Sequence, residues 1–335
     1  MKKILLIGNG NPQHVGCHLA RAAASLDLDV RFCDVQSAYA GGWFWRQLNW
    51  RFLGHRPVRM DFFEKEVLQV CGEFSPEWLL TTGFAPLSEG CLRKIKSFGT
   101  ATINFLTDDP WNPTHRAPWF FKALLQYDHV FTPRRSNLED LRKHDCRHVM
   151  YLPFAYSPEI HFAEAPKNPE EKKFLECDVL FVGGADEDRR PYITALIRAG
   201  LKVHLYGGYW DRFVSTRASY CGMADARLLR VATSCAKITL CLVRRANRDG
   251  HAMRSFEAPA MKGCVLMEDT AEHRHLFGPE GETTLYFKTP SDVVKQARRL
   301  LSDDHGRECL AESCHFRITR GSHTYTDRLK MMLET

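Results

Sequence analysis

The run Asn247-Arg-Asp-Gly-His-Ala-Met-Arg-Ser-Phe-Glu-Ala-Pro-Ala-Met-Lys-Gly-Cys-Val-Leu-Met-Glu268 concentrates groups able to hold an anion. It reads as a polar loop with one glycine, a short helix with a carboxylate in its first turns, Gly263, and an apolar strand from Cys264 to Met267. The first N–H groups of a helix lack intrahelical partners and carry partial positive charge, so a diphosphate can rest on such a loop. Asn247, Gly250, His251 and Ser255 are its candidate binding positions, and Arg254 adds a planar fork of donors suited to phosphate oxygens. Glu257, one turn on, can accept both hydroxyls of a ribose. Arg254 and Glu257 also stand three residues apart, so a surface ion pair on an ordinary helix is the competing reading.

Such a loop needs a sheet behind it. Lys3 to Ile7 predicts a first strand, Gly8 to Gly16 a polar loop, Val15 to Leu26 a helix, and Val30 to Cys33 a second strand. Gly8, Gly10 and Gly16 miss the G-x-G-x-x-G spacing, which argues against a dinucleotide at this turn. Strands at Trp78 to Thr82, Ala101 to Leu106, His129 to Thr132 and Val149 to Leu152 alternate with helices, the pattern of a doubly wound parallel sheet.

Asn104-Phe-Leu-Thr-Asp-Asp-Pro-Trp111 follows a buried strand. Its Asp108 and Asp109 fit a metal pair, a general base for an acceptor hydroxyl, or a capping turn before Pro110; without further ligands nearby, metal is the weakest of the three. We keep Asp109 as the acceptor-side candidate. His14 and His115 stand in loops beside predicted strand ends. Between residues 42 and 59, Trp43, Phe44, Trp45, Trp50 and Phe52 mix with Arg46, Arg51, Arg56 and Arg59. That mixture suits a membrane interface or an acceptor groove, or else a helix whose aromatics close a gap beside the sheet.

Four prolines and a charged run between Tyr151 and Lys173 predict a connector, with a domain boundary at about residue 165 and domains of 1–164 and 165–335. In the second half the strand Cys177 to Val182 ends on Gly183-Gly184, with Arg189 following. The strand Lys202 to Tyr206 ends on Gly207-Gly208. Paired glycines at two strand ends predict an edge where backbone comes close to something.

Asp249 and Glu257 enclose seven residues, a spacing similar to the E-x7-E element of retaining glycosyltransferases of the GT-B fold. The whole run resembles the CgeB-like glycosyltransferases more closely, through Asn247, Asp249, Gly250, Arg254, Phe256, Glu257, Pro259, Ala260 and Gly263. Phe181 with Gly183 and Arg189, Tyr206-Gly207 with Trp210, and His323 with Tyr325 and Arg328 extend the resemblance over most of Phe181 to Leu333. In the first half it rests on scattered pieces such as Asp108-Asp109-Pro110. Lys262 departs from the small-residue run usual after Glu-x-Pro-Ala.

The resemblance implies two Rossmann-like doubly wound domains facing across a cleft, with the acceptor on the N-terminal one and a nucleotide-diphosphate sugar, UDP favoured, on the C-terminal one. It implies Arg254 stabilising the leaving diphosphate, Asp249 near the reacting carbon, Glu257 on the ribose, and no metal or cofactor. The acceptor is a glycan, a lipid-linked group or a protein. A sugar-nucleotide epimerase and a non-catalytic nucleotide-sugar-binding or surface structural protein are the alternatives.

Composition sets limits. The chain has 335 residues, 44% hydrophobic and 26% charged, which suits two globular domains. A net charge of +6 is too small and scattered to argue for nucleic acid. Twelve cysteines without a Cys-x-x-Cys read as reduced thiols rather than disulfides or zinc ligands. The start reads as a strand rather than a signal peptide and no segment reaches the length of a membrane span, so the expected compartment is the cytoplasm.

Overall fold

Among the described residues, eleven apolar runs form strands in two parallel sheets, and helices separate most successive strands. The computed structural model describes residues 2–43, 48–49, 51 and 54–335. The aromatic and basic stretch at 42–59 lies in good part outside the described residues, including Phe44, Trp45, Arg46, Trp50 and Phe52.

The chain divides into two compact units. The first comprises Met1–Pro153, Ala246–Arg248 and Tyr325–Thr335, and the second Phe154–Arg245 and Asp249–Thr324.

In the first unit the strands are β1 (Lys3–Gly8), β2 (Asp29–Asp34), β3 (Trp78–Thr82), β4 (Ala101–Phe105), β5 (His129–Thr132) and β6 (Val149–Tyr151), in spatial order β2-β1-β3-β4-β5-β6. Ile4, Leu5, Leu6 and Ile7 are all buried, as strands covered on both faces require. The helix Val15–Ser25 begins where the Gly8 loop ends. A Cβ on Gly8 would meet the Gly16 Cα at 2.9 Å, so these glycines let the first strand and its helix touch. Asp34 accepts the Gly10 N–H at 3.0 Å and so closes the same loop from β2.

The second unit contains β7 (Cys177–Val182), β8 (Val203–Tyr206), β9 (Ala236–Cys241), β10 (Val265–Glu268) and β11 (Leu285–Phe287), in spatial order β11-β10-β9-β7-β8. Its core packs Val179, Phe181, Leu205, Ile238, Leu240 and Leu266 with Trp210 and Phe287. The strand order reverses between β7 and β9. In open α/β sheets a ligand crevice forms at the carboxyl ends of the strands at such a reversal.

Most expected elements appear within a residue or two of their predicted ends. Among the described residues five helices were not anticipated, two of them the four-residue Gln36–Tyr39 and Val214–Arg217. Pro169–Leu175 lies within the predicted connector, where Asn168 caps the helix by accepting the Glu171 N–H at 2.8 Å. Asn-Pro-Glu-Glu carries that start signal, a capping Asn and a Pro at the first helical position, inside the charged run. Ala271–Phe277 starts on Thr270, and Tyr325–Leu333 closes the chain. Lys262, the departure noted above, holds φ of 63° and ends the helix Arg254–Ala260, with the Gly263 N–H on the Ala258 carbonyl at 3.0 Å. It fills a left-handed position usually given to glycine.

Candidate functional site

The reversal between β7 and β9 in the second unit is occupied by a guanidinium. Arg189 donates from Nη1 to the Gly184 carbonyl at 3.3 Å and from Nη2 to the Leu242 carbonyl at 3.4 Å, so it spans the carboxyl ends of both strands. Asp186 lies 3.5 Å from its Nε as an ion pair, and Arg244 reaches the same carboxylate at 3.8 Å. Only 8% of Arg189 is exposed, and burial lowers its pKa from the usual arginine value. A cation so placed gains from an anion entering the crevice.

The paired glycines meet each other. Gly207 has φ of 129°, and a Cβ on it would lie 2.5 Å from the Gly183 carbonyl oxygen. Trp210 Nε1 donates to that same oxygen at 2.7 Å, and the Gly183 N–H bonds the Tyr206 carbonyl at 2.8 Å. Close backbone approach was expected here, and the partner at Gly207 is the neighbouring strand end. Tyr206 is buried, and its hydroxyl pKa is raised by that burial.

After β9 the chain forms the central loop. The Asp249 N–H bonds the Arg244 carbonyl at 3.2 Å and its Oδ2 accepts the Arg244 N–H at 3.3 Å, so Asp249 ties the turn into a ring. Arg254 opens the helix, 19% exposed at its side chain, with Nη1 2.6 Å from Glu257 Oε2. Glu257 is 3% exposed and its Oε1 lies 3.5 Å from His161 Nε2. His161 Nδ1 accepts the Ser157 N–H at 3.0 Å, which leaves the ring proton on Nε2, facing Glu257. The ion pair of the competing reading is present at i, i+3, but it is buried rather than on the surface. Arg254 Nε has no hydrogen-bond partner among the described residues, a polar demand inside the site.

His251 and Ser255 are engaged within the protein. His251 Nε2 accepts the Phe154 N–H at 3.1 Å, so its Nδ1 carries the proton shared with Glu272 at 2.7 Å. Ser255 Oγ lies 2.8 Å from His273 Nε2 and accepts the Ala252 N–H at 3.1 Å. His273 Nδ1 donates to the Glu268 carbonyl at 2.7 Å, so Nε2 accepts from the serine hydroxyl. Burial pushes His273 down to about 4 from 6.5. Between those values the folded ring stays neutral while the unfolded ring takes a proton. This stability is full above pH 6.5 and falls as pH drops toward about 4. Urea midpoints at pH 7 and pH 5 should record the loss, and His273→Gln should shrink the difference.

In the first unit Asp109 is 1% exposed and fully engaged. Arg248 grips it in a fork, Nε to Oδ2 at 2.6 Å and Nη2 to Oδ1 at 2.9 Å, while Asn137 and the Trp111 N–H donate to Oδ1 at 2.8 and 3.0 Å. Arg248 also donates to Asp140 at 2.7 Å, and these bonds raise its pKa above the usual arginine value. The turn reading of Asp109 is the one its contacts favour, since a base needs a free lone pair. Asn247 belongs to this cluster, accepting from Asn112 at 2.7 Å. Asp108 is half-buried beside Thr107, and it raises the His14 pKa against a larger lowering by burial. Sequence reasoning passed over Arg248, Asn137 and Asp140; the pairings of Arg248 join positions more than a hundred residues apart.

Residues 189–334 match the family model described as Glycosyl transferase-like. A comparison with curated proteins gives no match. Among solved structures the chain is similar to the sucrose-phosphate synthase of Thermosynechococcus elongatus, with a TM-score of 0.71 at 14% identity, covering 100% of this chain and 98% of that one. It is similar to HepE of Anabaena in complex with UDP, with a TM-score of 0.64 at 11% identity over 100% and 98%. A UDP-GlcNAc 2-epimerase from Neisseria meningitidis bound to UDP-GlcNAc has a TM-score of 0.58 at 11% identity over 99% and 100%. The chain thus has the GT-B fold, two Rossmann-like parallel-sheet units, and its residues 189–334 are similar to the glycosyl transferase-like family.

Proposed function

We propose that the protein transfers a sugar from a nucleotide-diphosphate sugar, UDP favoured, to a hydroxyl-bearing glycan, lipid-linked or protein acceptor, without a metal, as a CgeB-like glycosyltransferase. The observation that carries this reading is Arg189 bridging the ends of β7 and β9, in the unit whose next loop supplies Arg254. The two guanidiniums, with the exposed part of Arg244, neutralise the diphosphate as it leaves. Fixed donors do this well because they need no reorganisation when charge develops. Glu257 takes a ribose hydroxyl beside its ion pair with Arg254, and Asp249, held by Arg244, faces the sugar. The Asp249 to Glu257 spacing favours retention of configuration.

The test is a calorimetric titration with UDP, followed by incubation of UDP-sugars with an acceptor panel and NMR of the product's anomeric proton. Binding of UDP with an axial product from an axial donor supports the reading. Inversion would remove Asp249 from its assigned role. Turnover of UDP-GlcNAc without acceptor would favour an epimerase, which shares this fold. Binding without turnover of any acceptor would leave a nucleotide-sugar-binding protein.

A further inference from the structure

The central loop is held from one side by the start of the next helix but one strand later. Three side chains among four consecutive residues, Thr270 to His273, each grip one residue of the loop. The Thr270 hydroxyl donates to the Gly250 carbonyl. Glu272 takes the His251 ring proton at 2.7 Å, and its side chain fills the space beside Gly250, where a Cβ would fall 2.3 Å from the Glu272 carboxyl carbon. His273 accepts the Ser255 hydroxyl at 2.8 Å.

The same Thr270 oxygen accepts the His273 N–H at 2.9 Å, so one hydroxyl caps the helix Ala271–Phe277 and fastens the loop. Glu272, His273, His251 and Ser255 are all buried, which excludes water as a competitor for these bonds. These contacts take a carbonyl and side chains of the loop. The grip therefore competes for none of the amide N–H groups that would face an anion.

We infer that Thr270, Glu272 and His273 are a clamp of positioning residues that holds the loop from Gly250 to Ser255 in its nucleotide-binding shape and so sets the affinity for the donor. The inference rests on the nucleotide reading above for its second half only. A site is tightened by the residues that lock its contacting groups, because order already present need not be supplied on binding.

The experiment pairs hydrogen exchange of the ligand-free protein with calorimetric titration by UDP. In Thr270→Val, which keeps shape but loses the hydroxyl, amides of residues 248–256 should exchange about tenfold faster and UDP should bind about tenfold more weakly, the effect of one well-placed hydrogen bond. Amides of β7 and β9 should be unchanged. Thr270→Ser should recover both values. Glu272→Ala, which removes the acceptor of the His251 proton, should move both readings in the same direction and serves if Thr270→Val does not fold.

Unchanged exchange in the loop of Thr270→Val would overturn the clamp. Faster exchange with UDP affinity equal to wild type would overturn its role in donor binding. If the wild-type protein itself ignores UDP, the nucleotide reading fails, and the exchange rates still decide whether Thr270 orders the loop.

Discussion

Arg254→Ala should lower kcat/KM for a UDP-sugar by about 10³-fold, because loss of one preorganised donor to a developing anion removes two to three powers of ten. The substitution also leaves Glu257 almost wholly buried, with the neutral His161 ring 3.5 Å away and no cation in place of Arg254. Removing one partner of a buried pair costs about 3–5 kcal/mol, so the fold weakens as well as the chemistry.

Two further proteins separate these effects. Arg254→Lys keeps a charge beside Glu257 but not the planar fork, and should recover stability more than rate. Arg254→Ala combined with Glu257→Gln should regain the midpoint in urea, since no buried carboxylate is left unpaired, while turnover stays low. If rate returns with stability, Arg254 is a structural residue and the diphosphate lies elsewhere.

Asp109→Asn should cost about 2–4 kcal/mol in urea unfolding, as the loss of a forked, charge-assisted pair with its buried carboxylate predicts. An amide has one acceptor oxygen where Asp109 serves Arg248, Asn137 and the Trp111 N–H with two. Arg248 is 41% exposed at its side chain, so water compensates part of its loss and the figure stays below that of a fully buried pair. Asp108→Asn, at the adjacent half-buried position, should change stability by less than about 0.5 kcal/mol. The opposite pattern, an Asp109→Asn protein that unfolds like the wild type but turns over a hundredfold more slowly, would restore Asp109 as an acceptor base.

The strands were readable because their residues answer to local rules. Val-Leu-Phe-Val at β7 and Ile-Leu-Leu-Ile at β1 are buried on both faces, and each is followed by a glycine where the chain must turn tightly. The Asn247 to Glu268 run was legible for a similar reason, since a loop, a helix start and a strand follow one another without interruption. What escaped was pairing at a distance. Nothing near Asp109 announces Arg248, and nothing near Ser255 announces His273 on a helix that seven unremarkable residues conceal. Of the glycine pairs, Gly207 makes the expected close approach, to Gly183, while a Cβ on Gly208 would meet nothing within 4 Å.

The closing helix Tyr325–Leu333 belongs to the first unit, where it packs on Val15–Ser25 with Tyr325 stacked 5.0 Å from His18 and Arg328 bonded to the Pro153 carbonyl at 2.8 Å. A nascent chain leaving the ribosome therefore completes its earliest sheet long before the piece that packs on the helix Val15–Ser25 has been synthesised. Until then the apolar face awaiting Leu329 and Met332 is open to holdase chaperones, and a premature stop shortly before Tyr325 would leave it so permanently.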